Sequence, residues 1–129
     1  MTGQLAGRSI LVVEDEMLVL MNIETTLTDL GCTATSAGTI EDALTLLDDT
    51  SFDAAMLDVN LHGEKSYPVA DALALRGIPF IFSTGYGHHD DRPEFADRMA
   101  LRKPYLPRHL TAALSALFAP KESRAAVAN

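Results

Sequence analysis

The sequence predicts an α/β fold built as a doubly wound, five-stranded parallel sheet. Three observations carry that reading: short apolar runs of strand length alternate with stretches of helical periodicity, the first run is apolar without a break, and two runs stop abruptly at acidic residues. Alternation of this kind implies right-handed crossovers with helices on both faces of the sheet. In such sheets a ligand site lies beyond the carboxyl ends of the strands, near the point where strand order reverses.

Ile10-Leu11-Val12-Val13 is the first strand, of the type buried on both faces, and Glu14-Asp15-Glu16 stops it. From Met17 to Leu30, the residues Leu18, Met21, Ile23, Leu27 and Leu30 recur near helical spacing, and Gly31 suits a left-handed C-terminal cap. Cys32 to Ser36 reads as a short second strand. Thr39 can cap a helix carrying Ala43, Leu44, Leu46 and Leu47, and Phe52 to Leu57 is a buried third strand that ends at Asp58. Pro68 fits the first turn of a helix through Ala70, Leu73 and Leu75, which Gly77 closes before a fourth strand at Pro79 to Phe82. Between Gly85 and Arg98 the chain is polar, carries Gly85, Gly87 and Pro93, and has room for a short helix around Glu94 to Met99. Ala100 to Lys103 forms a brief fifth strand. Pro107 opens a last helix with Leu110, Leu114, Leu117 and Phe118 on one side, and Pro120 ends it. On this reading residues 1–8 are an N-terminal lead, 9–118 one domain and 119–129 a disordered tail.

Composition agrees with a single unit. With 129 residues, 47% of them apolar, the chain can hold one core and is too short for two ordinary domains. Lys plus Arg number 10 against 18 Asp plus Glu, and the formal charge of −8 opposes approach to nucleic acid or to anionic lipid. Cys32 is the single cysteine, so neither an internal disulfide framework nor a cysteine-rich zinc site can be built. No apolar run is long enough to span a bilayer and the first residues do not form a secretory leader, so a cytoplasmic location is expected.

Glu14 and Asp15 follow the first strand and Asp58 follows the third, so the expected fold gathers three carboxylates from distant positions at one edge. Their repulsion in a partly desolvated crevice calls for a cation, and an all-oxygen set with room for water favours magnesium over zinc. Thr84 ends the fourth strand and Lys103 the fifth, which brings a hydroxyl and an ammonium to the same edge. Such an assembly suits phosphoryl transfer: a carboxylate nucleophile needs no deprotonation, the metal neutralises equatorial oxygens, and lysine and hydroxyl hold the rest. His62, His88, His89 and His109 lack metal-ligand spacing and read as polar loop positions. Cys32 reads as a small buried apolar group.

With these residues identified, the sequence resembles the receiver domains of two-component response regulators over roughly Ser9 to Phe118, which implies a flavodoxin-like receiver fold. By that resemblance Glu14 and Asp15 correspond to the acidic metal pair and Asp58 to the phosphoacceptor. Asn60 corresponds to the position whose backbone carbonyl completes the protein ligands of Mg2+. Thr84, with Gly85 beside it, corresponds to the hydroxyl residue that binds the phosphoryl group, and Lys103-Pro104 to the lysine that contacts it, before a proline often in the cis form. Phe82-Ser83-Thr84-Gly85-Tyr86, preceded by Gly77-Ile78-Pro79, is similar to the Phe-Ala-Thr-Gly-aromatic signature of a stand-alone subgroup in alphaproteobacterial signalling, so no output domain is expected. The chain departs from the family at His62, where many receivers have proline, and at Ala100, where they have a switch aromatic. Tyr86 and Tyr105 are the candidates to take over the switch, and Gly85 replaces a common alanine and frees the loop backbone.

The resemblance implies a module that takes a phosphoryl group on Asp58 from a sensor histidine kinase or a histidine phosphotransfer protein. It would catalyse its own phosphorylation and dephosphorylation without being a turnover enzyme, and would signal to a downstream protein, not to nucleic acid or membrane. Three other readings compete with this one. A haloacid-dehalogenase-like phosphohydrolase needs a second acid two residues after the nucleophile, where Asn60 stands. A flavin or nucleotide binder needs glycines or hydroxyls at the first strand-to-helix turn, where Glu14-Asp15-Glu16 repels phosphate. A phosphorylation-independent adaptor would keep the fold and signal by contact alone; the departures at His62 and Ala100 speak for it, and the full set of acceptor residues speaks against it.

Overall fold

A computed structural model describes residues 5–85 and 98–119. Within them the chain forms β1 (Ser9–Val13), α1 (Met17–Asp29), β2 (Thr33–Ala37), α2 (Ile40–Asp49), β3 (Ala54–Asp58), β4 (Asn60–Leu61), β5 (Glu64–Lys65), α3 (Tyr67–Leu75), β6 (Phe80–Thr84), β7 (Ala100–Arg102) and α4 (Pro107–Leu117). Five strands make one parallel sheet in the order β2-β1-β3-β6-β7, and β4 pairs with β5 in a separate antiparallel ribbon. The architecture is the doubly wound α/β sheet expected from the sequence.

The continuous apolar runs are explained by two cores, one on each face. Ile10, Val12, Ala54, Met56 and Ile81 pack with Ile23, Leu27, Leu110 and Leu114 from α1 and α4. Leu11, Val13, Ala55, Leu57, Phe80 and Phe82 pack on the opposite face with Ala43 and Leu47 of α2 and Val69, Ala70 and Leu73 of α3. Side chains alternate across a strand, so a run buried on both sides has no place for a polar residue until its end. Phe82 is held edge-on by Phe80, with ring centroids 5.2 Å apart, and by Tyr67 at 6.4 Å.

Local signals account for the helix ends. Thr39 accepts a hydrogen bond from the Asp42 N–H at 3.0 Å and caps α2. Gly31 follows the last turn of α1 with φ 87°, the left-handed conformation that glycine adopts without penalty. Element boundaries shift by a residue or two from the sequence reading, for identifiable reasons. The Cys32 N–H still bonds Leu27 O (2.9 Å), which leaves β2 to start at Thr33. Pro79 has no N–H and lends the sheet only its carbonyl, to Ala55 N at 3.1 Å, so β6 starts at Phe80. Phe52 precedes β3 yet buries its ring, and Lys103 lies just beyond β7 with its N–H bonded to Thr84 O at 2.8 Å. Cys32 is buried, as expected.

Two features differ from expectation. The described part of the lead packs onto the domain: Leu5 is fully buried, Gly7 N–H bonds Gly31 O, and the Arg8 guanidinium lies 4.3 Å from the Phe118 ring centroid. The β4–β5 ribbon has no counterpart in the sequence reading, because strands of two residues show no periodicity. Residues 94–97 of the short helix expected around Glu94 to Met99 lie outside the described residues, as do Tyr86, His88, His89 and 120–129 of the expected tail. Among the described residues no helix is long and apolar enough to cross a membrane.

Candidate functional site

β1 has β2 on one side and β3 on the other, so strand order reverses between them and a crevice opens beyond their carboxyl ends. The register pairs Val13 with Leu57, Asp58 with Ser83 and Thr84 with Arg102, which sets the residues that end or follow these strands along one edge. Glu14, Asp15, Glu16 and Asp58 accordingly each offer a carboxylate oxygen within 4.8 Å of the others. Glu14 and Asp58 are 2% and 4% exposed, Asp15 is half-buried and Glu16 is exposed.

Lys103 enters this acidic cluster from the end of β7. Its Nζ donates to Glu14 Oε2 at 3.1 Å, Glu16 Oε1 at 2.9 Å and Asp58 Oδ2 at 3.0 Å. It also lies 3.0 Å from Glu14 Oε1, a charge contact without hydrogen-bond geometry, and that buried oxygen has no hydrogen-bond donor among the described residues. One ammonium against four carboxylates leaves an excess of negative charge. Burial, and then the charge of Asp58, push the Glu14 carboxyl up from 4.5 to about 7, against the Glu16 N–H and Lys103, which favour the carboxylate. Burial opposes charge on Lys103, but its bonds to Glu16, Glu14 and Asp58 outweigh burial and hold the ammonium protonated well above its ordinary range.

Asp58 Oδ1 accepts from the Asn60 N–H at 3.2 Å, and the Asp58 carbonyl accepts from Ser66 Oγ at 2.5 Å. Asp15 Oδ2 accepts from the His62 N–H at 2.9 Å, with His62 Nδ1 at 3.6 Å. Thr84 is buried at the end of β6, Gly85 is exposed next to it, and the Lys103-Pro104 peptide is cis. Tyr105 packs against the α1 and α4 side of the sheet; its buried hydroxyl faces that of Ser83 without reaching hydrogen-bond geometry, and burial pushes the Tyr105 phenol up against the opposing influence of Ser83. A groove of about 910 Å³ runs from Lys103 between α1 and α4, past Val19, Ile23, Leu106 and Leu110.

The structure thus brings together Glu14, Asp15, Asp58, Thr84 and Lys103, all named from the sequence, with Asn60 and Gly85 beside them. The sequence does not point to Glu16 as part of the site or to the ribbon around His62. In the sequence Glu16 is one repelling charge in an acidic run, and nothing there signals its pairing with Lys103. The ribbon's one available signal was a polar residue before Gly63, a weak form of the two-residue turn.

Comparison with known proteins agrees with this geometry. The family model of the response regulator receiver domain matches residues 10–115, and the chain belongs to that family. Among solved structures it is similar to SdrG from Sphingomonas melonis Fr1, with 44% identity over 89% of this chain and 98% of that one and a TM-score of 0.78. It is also similar to SdrG in its BeF3-activated conformation, with 45% identity, 88% and 98% coverage and a TM-score of 0.74. The receiver domain of sensor histidine kinase PA1611 from Pseudomonas aeruginosa PAO1, which has a magnesium ion coordinated in its active-site cleft, is 26% identical over 87% of this chain and 98% of that one, with a TM-score of 0.76. A search among curated proteins found no match. Receiver domains are signalling modules of two-component systems that accept phosphoryl groups from histidine kinases or phosphotransfer proteins, and this chain has that family function.

Proposed function

We propose that Asp58 is the acceptor: it takes a phosphoryl group from a phosphohistidine on a sensor histidine kinase or a histidine phosphotransfer protein. The observation that carries this reading is the Lys103 ammonium, 3.0 Å from Asp58 and bonded also to Glu14 and Glu16. It stands beside the nucleophile and is able to follow the charge onto an incoming phosphoryl oxygen. Asp58 attacks phosphorus in line and forms the O–P bond; the P–N bond breaks, the imidazole keeps the electron pair and picks up a proton, and an acyl phosphate remains. The carboxylate needs no base. Lys103, the Thr84 hydroxyl and the backbone at Gly85 hold the phosphoryl oxygens. Water cleaves the acyl phosphate at the same site, so the module resets itself and is not a turnover enzyme.

The residues fit Mg2+. Glu14 Oε1 is a buried oxygen short of a donor, four carboxylates converge, and an all-oxygen donor set suits a hard divalent cation. Glu14, Asp15, Asp58 and the backbone carbonyl of Asn60 would hold the ion. When bound it supplies positive charge to the phosphoryl oxygens.

The unit that does this is residues 9–118 with Leu5 to Arg8 of the lead packed on it, and it works in the cytoplasm. Because a phosphohistidine must reach Asp58, the donor protein covers the flanking edge, where Met17, Leu18 and Met21 of α1 are exposed apolar surface. Output is a shift of population in the segment from Gly85 to Tyr105 and in α4, biased by Thr84, with Tyr105 and Tyr86 as the switch residues and a protein as the target. The test is incubation with magnesium and a small phosphodonor such as acetyl phosphate, followed by mass spectrometry. The expected result is a gain of one phosphoryl group on the wild-type chain and none on Asp58→Asn; an unmodified wild-type chain overturns the proposal.

A further inference from the structure

The ribbon between β3 and α3 sits against the site, and beyond the Asn60 carbonyl nothing in the proposed chemistry uses it. β4 and β5 pair Asn60 with Lys65 and Leu61 with Glu64 around a two-residue turn, His62-Gly63. Both turn residues have positive φ, 51° at His62 and 84° at Gly63, as the hairpin turn that matches strand twist requires. Gly63 adopts that conformation freely. His62 is strained by it, and such strain persists only where the surroundings over-determine it.

Burial and hydrogen bonds supply those surroundings. Leu61 is 1% exposed and belongs to the core on the α2 and α3 face. The base of the ribbon is tied to the acceptor strand by Asn60 N–H to Asp58 Oδ1, by Ser66 N–H to Val59 O at 2.8 Å, and by Ser66 Oγ to Asp58 O. Its tip reaches back 47 residues, where the His62 N–H donates to Asp15 Oδ2 at 2.9 Å. Among the described residues, His62 is the one that holds the Asp15 side chain. One turn therefore connects the carboxylate after β1 with the carboxylate that ends β3.

The geometry points to the 60–65 ribbon as the positioning element of the cation site, acting through the main-chain N–H of His62 on Asp15. This rests on the reading of Glu14, Asp15 and Asp58 as magnesium ligands. A carboxylate aligned in advance by a fixed donor loses less freedom when it binds a metal, which is why partners behind a ligand matter nearly as much as the ligand. The proline that many receivers carry at this position has no N–H to offer and cannot take positive φ, so the substitution by histidine replaces one way of shaping the loop with another.

Three full-length proteins decide the matter by magnesium titration calorimetry: wild type, His62→Pro and His62→Gly. His62→Pro removes the donor and is expected to weaken magnesium roughly 10–100-fold. His62→Gly keeps the N–H, accepts the turn conformation and is expected to restore wild-type affinity. Equal affinity in all three, or a loss with His62→Gly as large as with His62→Pro, overturns the assignment. Amide hydrogen exchange in metal-free protein provides a readout that does not depend on His62→Pro folding. The residue 62 amide should be protected in the wild type and lose that protection in Asp15→Ala, and unchanged exchange overturns the proposal as well. A wild type that binds no magnesium sinks both this inference and the metal reading, whereas tight wild-type binding with an indifferent His62→Pro sinks this inference alone.

Discussion

Glu14 is where burial and charge act together, and its titration has a definite sign. Its carboxyl has an ordinary pKa of 4.5 and one of about 7 in the fold. Below 4.5 the group is protonated in both states. Between 4.5 and 7 the folded chain keeps a proton that the unfolded chain has released, so the contribution of Glu14 to stability is full at the acid end and is lost as pH rises through about 7. The shift sets a ceiling of roughly 3 kcal/mol on that loss. Metal-free wild type should therefore lose stability relative to Glu14→Gln across this window in denaturant unfolding, and parallel curves for the two proteins would refute the assignment. Lys103 has the complementary role. Replacing it with Met removes the ammonium beside Asp58, and the initial rate of labelling by acetyl phosphate should fall by roughly 10²–10³-fold, the usual cost of losing one preorganised donor.

Among the elements, α2 and the 60–65 ribbon show two different sources of stability. α2 is stabilised at its start by a local bond, the Asp42 N–H donating to Thr39 Oγ1, and Thr39→Ala should cost about 1 kcal/mol, visible as a melting temperature lower by a few degrees. The ribbon has no local signal of comparable strength and is held by burial. Leu61→Ala empties a site that is 1% exposed and should cost roughly 2–5 kcal/mol in urea unfolding, despite lying in a two-residue strand. A cost below that of the Thr39 change would mean that the ribbon is not part of the cooperative unit. The same contrast explains which elements were legible beforehand. Ile10 to Val13 and Leu110 to Leu117 repeat their pattern over several residues, whereas Asn60-Leu61 and Glu64-Lys65 are too short for any period and are set by tertiary contacts, the burial of Leu61 and the bonds of Asn60, His62 and Ser66.

For the molecule as a whole, any ligand that binds only the folded form stabilises it by mass action. At about a hundred times its Kd, magnesium should add about 2.7 kcal/mol, read as a rise in melting temperature that chelation reverses and that Asp15→Asn or Asp58→Asn removes. The linear order of residues determined a good deal of this. Runs such as Ile10 to Val13 announce a sheet covered on both faces, and in that architecture Glu14, Asp15, Asp58, Thr84 and Lys103 must arrive at one edge, because each follows or ends a strand and parallel strands all point the same way. Three-dimensional packing decided the rest: that Glu16 turns toward Lys103, that Leu5 closes the α1 and α4 core, and that the His62 N–H reaches Asp15. These contacts join residues that no local pattern relates. They exist because charged and polar groups pair with, and apolar groups fill space against, whatever side chains the fold brings near, a requirement that acts on distances and leaves no periodic trace in the chain.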